Sequence, residues 1–187
     1  MILDLLRHGE TEQGGLRGSL DDALTEQGWA QMRAAVVAGG PWQVLVSSPL
    51  QRCARFADEL GARLGLPVQR EADLQELHFG EWEGRSALQI METQADELGR
   101  FWADPYAYTP PAGEPVSAFA ERVLAGIERL RREHSGKRVL LVTHGGVMRL
   151  LLARARGLPK EQLLQVEVGH GALVQLDLTG DLLQEVR

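Results

Sequence analysis

Short apolar runs alternate with amphipathic stretches along this chain, and the alternation predicts its elements. Ile2-Leu3-Asp4-Leu5-Leu6 predicts a first strand. A helix is expected from Thr25 as N-cap through Trp29, Met32, Ala35 and Val36, until Gly39-Gly40-Pro41 stops it. Residues 43–46 form the next β-branched run. Ser48 is then expected to N-cap a second helix, with Pro49 at its first position and Phe56, Leu60 and Leu64 on its apolar face. Residues 68–84 read as a strand-and-loop passage. Residues 85–115 read as irregular, a short helical stretch followed by aromatic and proline-rich chain. From Val116, apolar Phe119, Val123, Ile127 and Leu130 give a helical period. Residues 138–142 are a continuous apolar strand opened by Arg138. Gly145-Gly146 leads into a helix through Val147, Leu150 and Leu151, and 172–178 and 182–186 close the chain as strands.

Alternating strands and helices predict an α/β fold, three-layer α/β/α with a mostly parallel central sheet. No repeat, low-complexity tract or linker divides the chain. One domain over 1–187 is expected, with 85–115 an insertion able to cover the mouth of the sheet.

A 44% hydrophobic and 25% charged composition is ordinary for a globular protein, so the pattern needs no special class. The net charge of −6 disfavours nucleic acid and anionic membrane as partners but leaves a small anionic substrate open. No apolar stretch is long enough to span a membrane, and the N-terminus lacks the pattern of a signal peptide; a cytoplasmic location is expected. The lone cysteine, Cys53, can form no disulfide within the chain and reads as a packed thiol. Basic residues are almost all arginine, Lys137 and Lys160 excepted. That bias reads as compositional, and only a few of the arginines can serve anion recognition.

Candidate chemistry gathers at strand ends. Arg7-His8-Gly9 ends the first strand. Arg52 falls in the first turn of the helix after the second, and its side chain leans back toward the same mouth. His144 follows the strand at 138–142, and Gly145-Gly146 allows a turn into a helix whose first amides can face an anion. Two arginines and two histidines on one side of a sheet suit a phosphate dianion, with no metal or cofactor. Phosphoryl transfer also needs an acid for the leaving oxygen. Glu76, Glu81 and Glu83 are candidates, and spacing does not choose among them. His78 and His134 read as solvated and His170, between Gly169 and Gly171, as a surface turn. Phe101, Trp102, Tyr106 and Tyr108 read as a small core of the insertion rather than a stacking platform, and Glu114 as a loop anchor.

The ordered set Arg7-His8-Gly9-Glu10-Thr11, Asp21 with Leu24-Thr25-Glu26-Gln27-Gly28, Ser47-Ser48-Pro49-Leu50-Gln51-Arg52, the Glu76 segment, Gly113-Glu114 and Thr143-His144-Gly145-Gly146 resembles the histidine phosphatase superfamily, with its phosphoglycerate-mutase-like fold. The resemblance spans residues 2–152. It implies His8 as nucleophile, Glu76 as proton donor, and Arg7, Arg52, His144 (as imidazolium) and the Gly145 region as the phosphate pocket. Residues 52–57 and 79–84 are similar to the α-ribazole phosphatase subgroup. This implies a metal-independent phosphomonoesterase acting on a small substrate such as α-ribazole 5′-phosphate. A broad-specificity or phosphoserine-type phosphatase, a phosphoglycerate mutase and an inactive phospho-ligand scaffold are the competing implications. One departure stands out. Gly14 replaces the Asn common in relatives, in a loop about three residues shorter, and Arg17 is expected to compensate as a substrate contact.

Overall fold

The computed structural model describes residues 1–37, 39–180 and 183–186. Its strands are β1 (Ile2–Arg7), β2 (Val44–Ser47), β3 (Val68–Arg70), β4 (Arg138–Thr143), β5 (Leu173–Asp177) and β6 (Gln184–Val186). They form one sheet in the order β3-β2-β4-β1-β5-β6. The first four of these neighbours pair in parallel, while β5 runs antiparallel to β1 and β6 antiparallel to β5. The mostly parallel sheet is as expected. Of the expected closing strand at 182–186, Leu182 lies outside the described residues.

The described residues hold five α-helices: α1 (Glu26–Val37), α2 (Gln51–Leu64), α3 (Ala87–Ala103), α4 (Val116–Glu133) and α5 (Gly145–Ala155). Side chains alternate across a strand, so each central strand feeds two cores. Leu3 and Leu5 of β1 and Val139 and Leu141 of β4 pack with Phe119 and Val123 of α4 and Val147 and Leu151 of α5. Leu6, Leu140 and Val142 pack on the other face with Met32 of α1 and Phe56 and Leu60 of α2. Burial on both faces is why β4 is apolar without alternation. Burying each such side chain contributes about 1.5–3 kcal/mol. Asp4 is the exception in β1. Its buried carboxylate accepts from Trp42 Nε1 (2.5 Å), Arg138 Nε (2.8 Å) and Gln175 Nε2 (2.8 Å).

Thr25 caps α1 as expected, its hydroxyl accepting from the Gly28 N–H at 2.9 Å. Three local expectations are corrected. α2 begins at Gln51, not Pro49, and Ser48 is not its cap: the Gln51 N–H donates to Asp21 Oδ1 at 2.6 Å, and the Ser48 hydroxyl faces His144 instead. Leu64 is 43% exposed, because two steps of four residues rotate it about 80° off the face set by Phe56. The segment after residue 85 holds a 17-residue helix, α3, with a break at Gln94 (φ −144°, ψ 45°). A capping box between Ser86 and Gln89 starts it, a signal present in the sequence. Phe101 packs edge-on to Trp82 and Phe79, and Tyr108 stacks on Trp82, so these aromatics form a local core; Trp102 is half exposed and does not belong to it. Among the described residues, no helix is long and apolar enough to cross a membrane.

Candidate active site

Strand register assembles the site. Parallel pairing sets Arg7 opposite Thr143, so the next residues, His8 and His144, leave the sheet side by side. The His8 N–H continues the ladder onto the Thr143 carbonyl at 2.9 Å, and the two imidazoles meet at 5.3 Å between centroids. Because β5 is antiparallel to β1, its start lies at the same mouth. The Gly171 N–H reaches the His8 carbonyl, and His170 comes within 5.8 Å of the His8 ring. His170 is exposed on a turn, as expected, but the turn borders the site. A parallel sheet extended by the antiparallel strand β5 places it there.

His8 is buried, and Nδ1 lies 2.8 Å from the Gly9 carbonyl oxygen. A carbonyl only accepts, so Nδ1 carries the hydrogen and Nε2 keeps its lone pair in the neutral ring. Burial lowers its pKa to about 3, helped by the positive charges of Arg52 and Arg7. His144 is fully buried, with Nε2 2.7 Å from the Ser48 hydroxyl. Burial first, then Arg52, His8 and Arg7, holds it well below the usual histidine range. The imidazolium implied for His144 is therefore not the form that the free site favours; an incoming dianion would have to supply the opposing field.

Arg7 donates from Nη1 to the Val168 carbonyl at 2.6 Å, while its buried Nε has no hydrogen-bond partner. Its pKa is lowered by burial and then by the neighbouring Arg149. Arg52 is completely buried. Nη1 and Nη2 donate to the carbonyls of Leu20 and Gly18 at 2.6 and 2.7 Å, fastening the loop before α1, and its Nε is without a hydrogen-bond partner. Arg52 and His144 thus lie behind His8 rather than on the cavity wall. Arg17 turns back on its own loop. Nε donates to the Gln13 carbonyl at 3.0 Å, Nη2 bonds the Gly14 carbonyl, and Asp22 Oδ2 lies 3.2 Å from Nε. Its buried Nη1 is without a hydrogen-bond partner. Gly145 lies against both Arg7 and Arg149: a Cβ there would stand 3.1 Å from Arg7 Nε and from Arg149 Nη1.

Of the three carboxylates left open by spacing, only Glu76 faces this cluster. Its Oε1 accepts from the Leu77 N–H and its Oε2 from the Gly146 N–H, both at 2.9 Å. The free amide in the first turn of α5 therefore meets Glu76. Glu83 is turned to the backbone N–H groups of Phe79, Gly18, Ser19 and Leu20. Burial pushes its pKa up, but these donors outweigh burial and hold it below the usual range. Glu81 is exposed. Glu114 is an anchor as expected, paired through both oxygens with Arg122. Cys53 is the packed thiol anticipated, and burial pushes its pKa up to about 12. His134, read as solvated, is half-buried with Nε2 3.0 Å from Gln69 Oε1, and His78 accepts from the Gly80 N–H at 3.3 Å.

A cavity of about 480 Å3 opens onto Arg7, His8, Glu76, Arg17, Arg149 and His170. Sequence reasoning missed Arg149, and it weighed a place near the site for His170 but preferred a surface turn. Arg149 lies one helical turn beyond Gly145, a spacing that could have exposed it. The cavity offers an unprotonated imidazole, guanidinium charge and the Glu76 carboxyl group. That combination can bind an anion, attack it and exchange a proton with a departing oxygen.

A sequence profile of the histidine phosphatase superfamily (branch 1) matches residues 3–187. The chain is 32% identical over 183 residues to an adenosylcobalamin/alpha-ribazole phosphatase of Escherichia coli, covering 95% of this chain and 90% of that one. It is 34% identical over 187 residues to a glucosyl-3-phosphoglycerate phosphatase of Mycolicibacterium vanbaalenii, covering 93% and 83%. Among solved structures, the alpha-ribazole phosphatase from Shigella flexneri superposes with a TM-score of 0.87 at 29% identity, over 100% of this chain and 95% of that one.

Proposed function

The chain belongs to the histidine phosphatase superfamily, and on that basis we propose that it hydrolyses phosphate monoesters through a phosphohistidine at His8. The observation that carries this reading is the neutral His8 ring, its Nδ1 held by the Gly9 carbonyl and its Nε2 free, on the wall of a cavity shared with Arg7 and Glu76.

In the first step Nε2 of His8 attacks phosphorus in line, and the bond from phosphorus to the ester oxygen breaks. Glu76, protonated at that point, gives its proton to the departing oxygen. In the second step water attacks the phosphohistidine, Glu76 takes the proton back, and inorganic phosphate leaves. Arg7 meets the equatorial oxygens on the cavity wall near Gly145, and Arg52 and His144, the latter protonated by the field of the bound dianion, add positive charge from behind His8. Arg17 contacts the substrate from the short loop. Residues 85–115 reach this cavity at second hand, through Phe101 packed edge-on to the lining residue Phe79, and are proposed to cover the reaction from that side.

Similarity to the adenosylcobalamin/alpha-ribazole phosphatases supports α-ribazole 5′-phosphate or the corresponding cobalamin phosphate as substrate. The 34% identity to the glucosyl-3-phosphoglycerate phosphatase supports a second reading, a glycosylated phosphoglycerate. Rapid acid-free quench of enzyme with 32P-labelled substrate tests the chemistry. An acid-labile, base-stable phosphoryl-enzyme that His8→Ala abolishes is expected, and turnover in EDTA should be undiminished. Turnover without such an adduct, or a strict need for added divalent metal, defeats the mechanism. Comparing kcat/KM for α-ribazole phosphate, glucosyl-3-phosphoglycerate, phosphoserine and phosphoglycerates then decides the substrate.

A further inference from the structure

Glu76 sits in a stretch, residues 75–79, with no helix or strand to hold it. Backbone carbonyls in such a stretch still need donors, and here one side chain supplies them. Arg122 of α4 donates from Nη1 to the carbonyls of Asp73 (2.8 Å) and Gln75 (2.9 Å), and from Nη2 to the carbonyl of Glu76 itself (2.9 Å). Its remaining donors close on Glu114, Nε to Oε1 at 2.7 Å and Nη2 to Oε2 at 2.8 Å. Glu114 in turn accepts from the His78 N–H, and the Glu114 N–H donates to the His78 carbonyl at 2.8 Å. The intervening carbonyl of Leu74 takes the Thr143 hydroxyl at 3.0 Å, which ties the same stretch to the residue before His144.

We infer that Arg122 is a positioning residue for the proton transfer at Glu76, clamping the backbone that carries the carboxyl group. The inference rests on the reading of Glu76 as the proton donor. Three features fit the role. The guanidinium is a planar fork able to bond several carbonyls at once, which an ammonium cannot do with fixed geometry. Its charge is balanced by Glu114, so a largely buried cation is tolerated. Arg122 lines none of the cavity, so it acts on the reaction only through the segment it holds. Fixing both ends of Glu76, the main chain by Arg122 and the carboxylate by Leu77 and Gly146, leaves the acid one place to stand.

The test compares two leaving groups. An alkyl phosphate departs as a basic alkoxide and needs the acid, whereas p-nitrophenyl phosphate departs as a stable phenolate and does not. The readout is the single-turnover rate of phosphoryl-enzyme formation, since the second step uses Glu76 whatever the ester: Arg122→Lys is expected to lower that rate on the alkyl ester by about 10²-fold, the loss typical of a ~1 Å misplacement, with substrate affinity unchanged and with little loss on p-nitrophenyl phosphate. Glu114→Gln, which loosens the clamp while leaving Arg122 in place, should give a smaller loss of the same selectivity and serves if Arg122→Lys does not fold. Glu76→Gln is run beside them. If Glu76→Gln discriminates between the esters while both other variants lose equally on the two, or lose nothing, the role of Arg122 is overturned alone. If Glu76→Gln loses equally on both esters, the reading of Glu76 fails and this proposal falls with it.

Discussion

Gly146 donates its backbone N–H to Glu76 Oε2 at 2.9 Å, and its Cα faces the same carboxylate so closely that a Cβ would lie 2.2 Å from Oε1. Close approach, not backbone conformation, calls for glycine here, since the residue is helical and its φ is not positive. Gly146→Ala should therefore push Glu76 out of place while helix propensity favours alanine. The expected result is a fall in kcat of about 10²-fold on alkyl phosphates with the melting temperature nearly unchanged. Steady-state kinetics beside a thermal melt check it; full activity would mean that Glu76 need not hold this position.

His8 gives a pH dependence with a definite sign. Its pKa is about 3 when folded and returns to the ordinary histidine value, 6.5, when unfolded. Between those values the unfolded chain binds the extra proton, so stability falls as pH drops from about 6.5 toward about 3 and is level above that window. Replacing His8 with Asn should flatten the slope by up to about 1.4 kcal/mol per pH unit. Denaturant unfolding of both proteins between pH 7 and 5, a span chosen within roughly that window, measures it. An unchanged slope would show that His8 takes up its proton in the folded state. Because His8 stays neutral, its own titration should not produce an acid limb in the rate near the ordinary histidine pKa.

Arg17 bonds the carbonyls of Gln13 and Gly14, yet keeps Nη1 without a hydrogen-bond partner. Arg17→Ala should raise KM by about 10-fold or more, the loss of one charge-assisted hydrogen bond. A smaller loss of kcat should follow from the slackened loop. Unchanged kcat and KM would remove Arg17 from the site.

Asp4 lies in the middle of β1, four residues before His8, buried with three donors. Asp4→Ala leaves the Arg138 guanidinium and the Trp42 N–H without their acceptor and should cost about 2–4 kcal/mol of stability. Turnover of the folded fraction should be intact. Urea denaturation and activity at a temperature well below the transition separate the two effects. A stability loss under about 0.5 kcal/mol would show that water satisfies the cluster.

The sequence by itself determined most of the architecture and named the candidate reacting groups. Its apolar runs fixed β1 and β4 because strands buried on both faces need no alternation. The Arg7-His8 and His144-Gly145 pairs were legible as strand ends because Gly punctuates the exit into a loop or helix. The capping box at Ser86 and Gln89 was equally legible but passed over, so α3 was underestimated. Other features depend on chain segments far apart in sequence. Only register brings His8 beside His144, and only the antiparallel course of β5 swings His170 to the same mouth. Which of Glu76 and Glu83 faces the cavity depends on the backbone N–H groups each carboxylate meets, Gly146 for one and the loop at 18–20 for the other. The protonation of His8 and His144 was likewise decided in three dimensions. Desolvation and the nearness of Arg7 and Arg52 set it, and neither quantity exists until the sheet has formed.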